Sequence, residues 1–181
     1  SRSFTDLNTG VWYHPYTDYV ISHSLMRGLS STLFAPNQSM TRGMMVTTLY
    51  RLAGEPQVEG TATFQDVKSS AYYANAVAWA EANGIAKGID TGVFAPNAPV
   101  TREQAAAFAY RYVTAYLGKT PVPGASLGGF QDAGLVSDYA AESLSWAHAA
   151  GLMVGYGDGF LGPKDTVTRA QMAKLLTLLA Q

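Results

Sequence analysis

Phe94-Ala95-Pro96-Asn97-Ala98-Pro99-Val100-Thr101-Arg102-Glu103-Gln104 decides the fold, because it is a loop that ends in a helix start and the chain writes it three times. Thr101 stands as N-cap with Gln104 three residues on, a capping box in which two amides left open by the first helical turn are satisfied reciprocally. Behind it Ala105, Phe108, Ala109, Tyr112 and Tyr116 fall on one helical face. Upstream, Tyr73, Val77 and Ala80 leading to Ile85 form a second stripe, which Asn83-Gly84 closes as a helix C-terminus. The unit is therefore helix, turn-rich loop, helix.

Its landmarks recur along the chain. Phe4-Thr5-Asp6, Phe64-Gln65-Asp66 and Phe130-Gln131-Asp132 open the copies, and Trp12, Tyr72 and Tyr139 head the first helices. Tyr19, Trp79 and Trp146 follow seven residues later, and Gly28, Gly88 and Gly155 mark the loops. Phe34-Ala35-Pro36, Phe94-Ala95-Pro96 and Leu161-Gly162-Pro163 precede Thr41-Arg42, Thr101-Arg102 and Thr168-Arg169. The first two copies are offset by 60 residues, and the third by 66 and then 67, so one residue is inserted before its first helix. This predicts one all-α unit over 1–181, with repeats at 4–53, 64–117 and 130–181 and linkers at 54–63 and 118–129. No single hairpin can bury its apolar face alone, so the three are expected to share a core in a pseudo-threefold cluster with three similar grooves. Copy one has Met44 in place of the capping amide and Ser24 in place of the glycine found at Gly84 and Gly151.

Composition narrows the function. The 181 residues are 48% apolar, with 12 Lys and Arg against 13 Asp and Glu, a net charge of -1 and no cysteine. A net charge of -1 with few charged residues predicts no basic face to neutralise phosphates, so nucleic acid is not the expected partner, and no apolar run reaches the length of a membrane span. Without cysteine there is neither a disulfide framework nor a thiolate metal site. The polar start, Ser1 to Leu7, does not read as a signal peptide and suggests an excised fragment. The isolated chain is expected to be a monomer, an internal pseudo-trimer.

Arg42, Arg102 and Arg169 open the second helices, where unpaired amides and the helix dipole favour an anion and a guanidinium adds a fork of donors. Two readings stand side by side: an anion receptor, or an arginine paired with Asp6, Asp66 or Asp132 to pin a loop. Trp12, Tyr72 and Tyr139 can stack on a sugar or plug the gap between hairpins. Tyr19, Trp79 and Trp146, deeper in the helix, read as core. The three aspartates read first as helix or loop ties, with sugar hydroxyls as the other possibility. His14, His23 and His148 do not recur between copies and have no metal spacing. Gly157-Asp158-Gly159-Phe160-Leu161-Gly162 satisfies a dinucleotide-type pattern, but it lies in a loop before Pro163 and reads as a turn. No cofactor and no catalytic constellation is expected.

The ordered set of Phe-x-Asp, leading aromatic, loop glycine, Phe-x-Pro turn and Thr-Arg helix start resembles the S-layer homology (SLH) domain, three times in tandem over Phe4 to Ala180. The resemblance implies an all-helical, three-pronged pseudo-trimer whose first helices form a central three-helix bundle. It further implies a non-catalytic, extracellular module that anchors an exported bacterial protein to a cell-wall polysaccharide, typically one ending in pyruvylated N-acetylmannosamine. The ketal carboxylate would meet Arg42, Arg102 and Arg169. Trp12, Tyr72 and Tyr139 would line the grooves, with Asp6, Asp66, Asp132, Gly28, Gly88 and Gly155 as neighbours. The rival functions are a self-assembly or protein-interaction module and, more remotely, a carbohydrate-active enzyme.

Overall fold

The computed structural model describes residues 4–181. Six α-helices are formed among them: α1 His14–Ser22, α2 Arg42–Leu52, α3 Ala74–Ala82, α4 Arg102–Arg111, α5 Ala141–Ala149 and α6 Arg169–Leu179. A π-helical turn, Tyr112–Tyr116, extends α4, and two 3-10 turns, Ala133–Leu135 and Asp138–Ala140, absorb the extra residue of the third repeat. The only β pairings among the described residues are isolated bridges, so the chain is all-α.

The helix starts follow the sequence. Thr41, Thr101 and Thr168 accept from the amides of Met44, Gln104 and Gln171. Full capping boxes form at Thr101/Gln104 and Thr168/Gln171, and only the threonine half forms at Thr41, where Met44 has no acceptor to offer. At the first-helix ends Gly84 and Gly151 adopt φ of 70°, and Ser24 is held in the same left-handed region at 57°.

Helix pairing runs between repeats rather than within them. α3 packs on α2, α5 on α4 and α1 on α6, so each first helix leans on the second helix of the preceding repeat and the cycle closes. The second helices meet about the central axis, where α2 touches both α4 and α6. The expectation that first helices form the central bundle is thereby corrected. The physical reason lies in the side chains: α2, α4 and α6 each bury seven residues, whereas α1, α3 and α5 bury two, five and four. Trp79 and Trp146 are core residues, while Tyr19 is half-buried and stacks on His23 at 3.9 Å.

A ring of backbone hydrogen bonds ties the axis. Met40 donates to Val167 at 2.8 Å, Val167 to Val100 at 3.0 Å, and Val100 back to Met40 at 2.9 Å. These three residues immediately precede the capping threonines, so the ring sets all three second helices in one register.

Candidate functional site

Each Phe-x-Asp builds the loop that its own repeat presents to its neighbour. Asp6 accepts from the amides of Phe34 and Ala35 at 2.9 and 2.6 Å, Asp66 from Phe94 and Ala95 at 2.9 and 2.7 Å, and Asp132 from Leu161 and Gly162 at 2.9 and 2.8 Å. The second residue of each pair is left-handed, with φ of 58°, 57° and 67° at Ala35, Ala95 and Gly162, so the carboxylate fixes a strained turn. Desolvation raises the Asp6 and Asp66 pKa values, but the amide bonds outweigh it and hold both below the ordinary range. At Asp132 the Leu161 amide is the largest influence, with the same outcome. The phenylalanine rings pack beneath the loop glycines: an added Cβ would lie 2.2 Å from the Phe4 ring at Gly28, 2.6 Å from the Val93 carbonyl at Gly88 and 2.5 Å from the Phe130 ring at Gly155.

The loops then receive the arginines of the preceding repeat. Arg42 donates from Nε to Phe94 O at 2.8 Å and from Nη2 to Lys87 O at 3.1 Å. Arg102 does the same to Leu161 O and Val154 O at 3.0 and 2.5 Å, and Arg169 to Phe34 O and Arg27 O at 2.7 and 2.5 Å. Each guanidinium lies over a ring: Phe94 for Arg42, Tyr156 for Arg102 and Phe34 for Arg169, at 4.8, 4.8 and 4.7 Å. All three arginines are buried, and desolvation pulls their pKa values below the ordinary value. Among the described residues no ion pair joins them to Asp6, Asp66 or Asp132. Each oxygen of these carboxylates accepts from a backbone amide, and Nη1 of each arginine makes no hydrogen bond among the described residues.

The helix N-termini differ from expectation. The amides of Arg42 and Gly43 donate to Ala98 O and Pro96 O, those of Arg102 and Glu103 to Asp165 O and Pro163 O, and those of Arg169 and Ala170 to Gln38 O and Pro36 O. With the threonine caps taking the next amide, the first turn has no donor left for an anion. The neighbouring Phe-x-Pro turn occupies the place where a bound anion was expected, so any anion recognition falls to side chains.

Three clefts of about 420, 310 and 140 Å³ open where these parts meet. The first holds Arg42, the loop Lys87-Gly88-Ile89, Gln104 and Arg111 of the second repeat, and Tyr139 of the third. The second combines Arg102 with Val154, Gly155, Tyr156 and Lys174 of the third repeat and Trp12 of the first. The third combines Arg169 with Arg27, Gly28, Thr47 and Arg51 of the first repeat and Tyr72 of the second. Every cleft thus draws on all three repeats.

Trp12, Tyr72 and Tyr139 form the rims at 57%, 65% and 56% exposure, so these rings are not core plugs. Gly28, Gly88 and Gly155 line the clefts. Asp6, Asp66 and Asp132 do not: they stand outside these clefts as loop ties, because both oxygens of each are committed to backbone amides.

Sequence reasoning missed a second tier of cations. Arg51 and Arg111 occupy matching positions 60 residues apart and reach Leu25 O and Ile85 O at 3.4 and 3.3 Å, while burial lowers both pKa values. Copy three has Leu178 there and supplies Lys174 one turn earlier. The recurrence at the repeat offset was the available signal. Arg27, Arg42, Arg51, Lys87, Arg102, Arg111, Arg169 and Lys174 place eight of the chain's 12 basic residues in the clefts, and no Asp or Glu joins them among the described lining residues. In a chain of net charge -1 that segregation makes three electropositive slots with aromatic lips.

The S-layer homology domain model matches the chain at residues 3–44, 63–106 and 129–173, once in each repeat, and the chain belongs to that family of cell-surface anchoring modules. It is 33% identical over 97% of its length to an endoglucanase of Bacillus sp. (strain KSM-635), of which it covers 18%. It is 31% identical over 85% of its length to the surface-layer 125 kDa protein of Lysinibacillus sphaericus, covering 13% of that protein. It is also 26% identical over 97% of its length to the S-layer protein sap of Bacillus anthracis, covering 21%. The chain therefore spans less than a quarter of these relatives, and what enzymes and surface-layer proteins have in common here is the module.

Proposed function

We propose that the module holds its parent protein to the bacterial cell wall, without catalysis of its own, by binding the acidic, pyruvylated end of a secondary wall polysaccharide in the inter-repeat clefts. The observation that carries this reading is the sorting of charge: the cations gather in three clefts with no Asp or Glu among their described lining residues, each beneath an exposed aromatic rim, although Arg51 also pairs with Glu55 at 3.7 Å from outside the lining. Nη1 of Arg42, Arg102 or Arg169 points no bond at protein and is available to a ligand carboxylate, with Arg111, Lys174 or Arg51 as the second cation. The rim ring gives the sugar an apolar face to lie against. Three such sites on one polymer-bearing surface would raise retention by avidity.

Purified wall polymer should retain the isolated chain, and chemical removal of the pyruvyl groups should abolish retention. Undiminished retention by depyruvylated polymer would overturn the anionic mechanism. Self-association with no glycan requirement would favour an assembly module instead, and release of sugar from wall material would favour an enzyme.

A further inference from the structure

One buried carboxylate is unexplained by the repeat pattern. Glu103, 3% exposed, sits at the second residue of α4, where repeat one has Gly43 and repeat three Ala170. Its Oε2 accepts from the Ser137 amide at 3.0 Å, its Oε1 from Ser137 Oγ at 2.8 Å, and Lys164 Nζ closes on Oε1 at 2.5 Å. Ser137 immediately precedes the 3-10 turn Asp138–Ala140, its hydroxyl committed to Glu103 rather than to the turn, and that turn carries Tyr139, the rim of the first cleft.

The other two rims are braced by a ring. Tyr72 meets Tyr73 edge-on at 5.1 Å and Trp12 meets Tyr13 at 5.4 Å. Tyr73 lies against Gly43, where an added Cβ would stand 3.0 Å from its ring. In the third repeat the residue after the rim is Ala140, so the bracing ring is missing, and in this seam alone the facing helix offers a glutamate. We propose that Glu103, with Ser137 and Lys164, is a positioning residue that replaces the missing aromatic brace and presets Tyr139 over the first cleft. Resting on the cleft reading above, this makes the first cleft the one whose lip is fixed by an ionic clamp, so its affinity depends on a side chain that need not touch ligand. The closeness of the groups is reflected in the Tyr139 hydroxyl: burial and then the Glu103 charge raise its pKa, while Arg42 and Arg111 oppose them.

The test uses the full chain with a fluorotyrosine placed at position 139, read by fluorine NMR with and without a pyruvylated aminosugar. Without ligand, the wild type should give one resolved signal, and Glu103→Ala should move it toward the solvent-averaged position. Glu103→Ala with Ala140→Tyr, which recreates the Ala170/Tyr13 pairing, should restore it. With ligand, amide shifts of α4 report the first cleft: Glu103→Ala should weaken it about threefold to tenfold, as should Tyr139→Ala, with no further loss when both are combined. The other two clefts should be unaffected. If Glu103→Ala does not fold, Lys164→Met, at a half-exposed site, loosens the same clamp. An unmoved fluorine signal overturns the proposal, and so does additive loss in the double variant. A wild type that binds no sugar overturns the proposed function, and the ligand-free arm still decides whether Glu103 positions Tyr139.

Discussion

Replacing Arg102 by alanine should destabilise the fold as well as remove a candidate ligand contact. Its Nε and Nη2 satisfy two carbonyls of the third-repeat loop, and its guanidinium lies over Tyr156. A hydrogen bond to a charged donor is worth about 1.5–3 kcal/mol, so loss of two amounts to about 3–6 kcal/mol. That is a large part of the ~5–15 kcal/mol that holds an ordinary domain together. At about 2–4 °C per kcal/mol for a chain of this size, the midpoint of thermal unfolding should fall by about 6–24 °C. Arg102→Lys should recover less than half, because an ammonium reaches one carbonyl and lacks the flat face. Circular dichroism melts with urea titrations measure both. A fall below about 1 kcal/mol for Arg102→Ala would refute the reasoning, showing that the loop holds its shape without the guanidinium. The practical corollary is that lost wall binding in such a variant reports ligand contact only if the fold is verified first.

Further outcomes follow from the same geometry. Ser24→Gly should raise stability by about 1 kcal/mol, visible in urea titration, because the serine is held at a φ of 57° that costs a side chain about 1–2 kcal/mol. Trp12→Ala, Tyr72→Ala and Tyr139→Ala, all at exposed positions, should leave the melting temperature nearly unchanged yet reduce retention on wall polymer, and unchanged retention in the triple variant would count against the rims as contact surfaces. Asp6, Asp66 and Asp132 have folded pKa values below the 3.8 of the free side chain, so the stability they add is present above pH ~4. It is lost as pH falls through the lowered values, and Asp66→Asn should flatten that acid limb of an unfolding curve. Retention on wall polymer should weaken as salt rises from 0.05 to about 0.5 M, since screening shortens to a few ångström over that range.

The repeat, the helix caps and the core tryptophans were legible because they depend on neighbours a few residues away. Thr101 and Gln104 announce their box, and Trp79 and Trp146 fall on an apolar stripe. What joins the repeats was not legible, because a hairpin pattern looks the same whether its helices pair with each other or with the next copy. The amides of Arg42 and Gly43 look vacant along the chain, since Ala98 and Pro96 approach only in three dimensions. Arg51 and Arg111 sit in no motif and stand out only at the repeat offset. Glu103 has no counterpart at Gly43 or Ala170 to flag it, and Lys164, 61 residues away, meets it only in the folded chain.

Because each cleft borrows its arginine, its loop and its lip from a different copy, the heritable unit of recognition is the triplet. Deleting one copy would dismantle all three clefts at once, and duplicating one would break the cyclic order on which they depend. Copies can therefore diverge in sequence, as the first and third have done, while their number and succession stay locked.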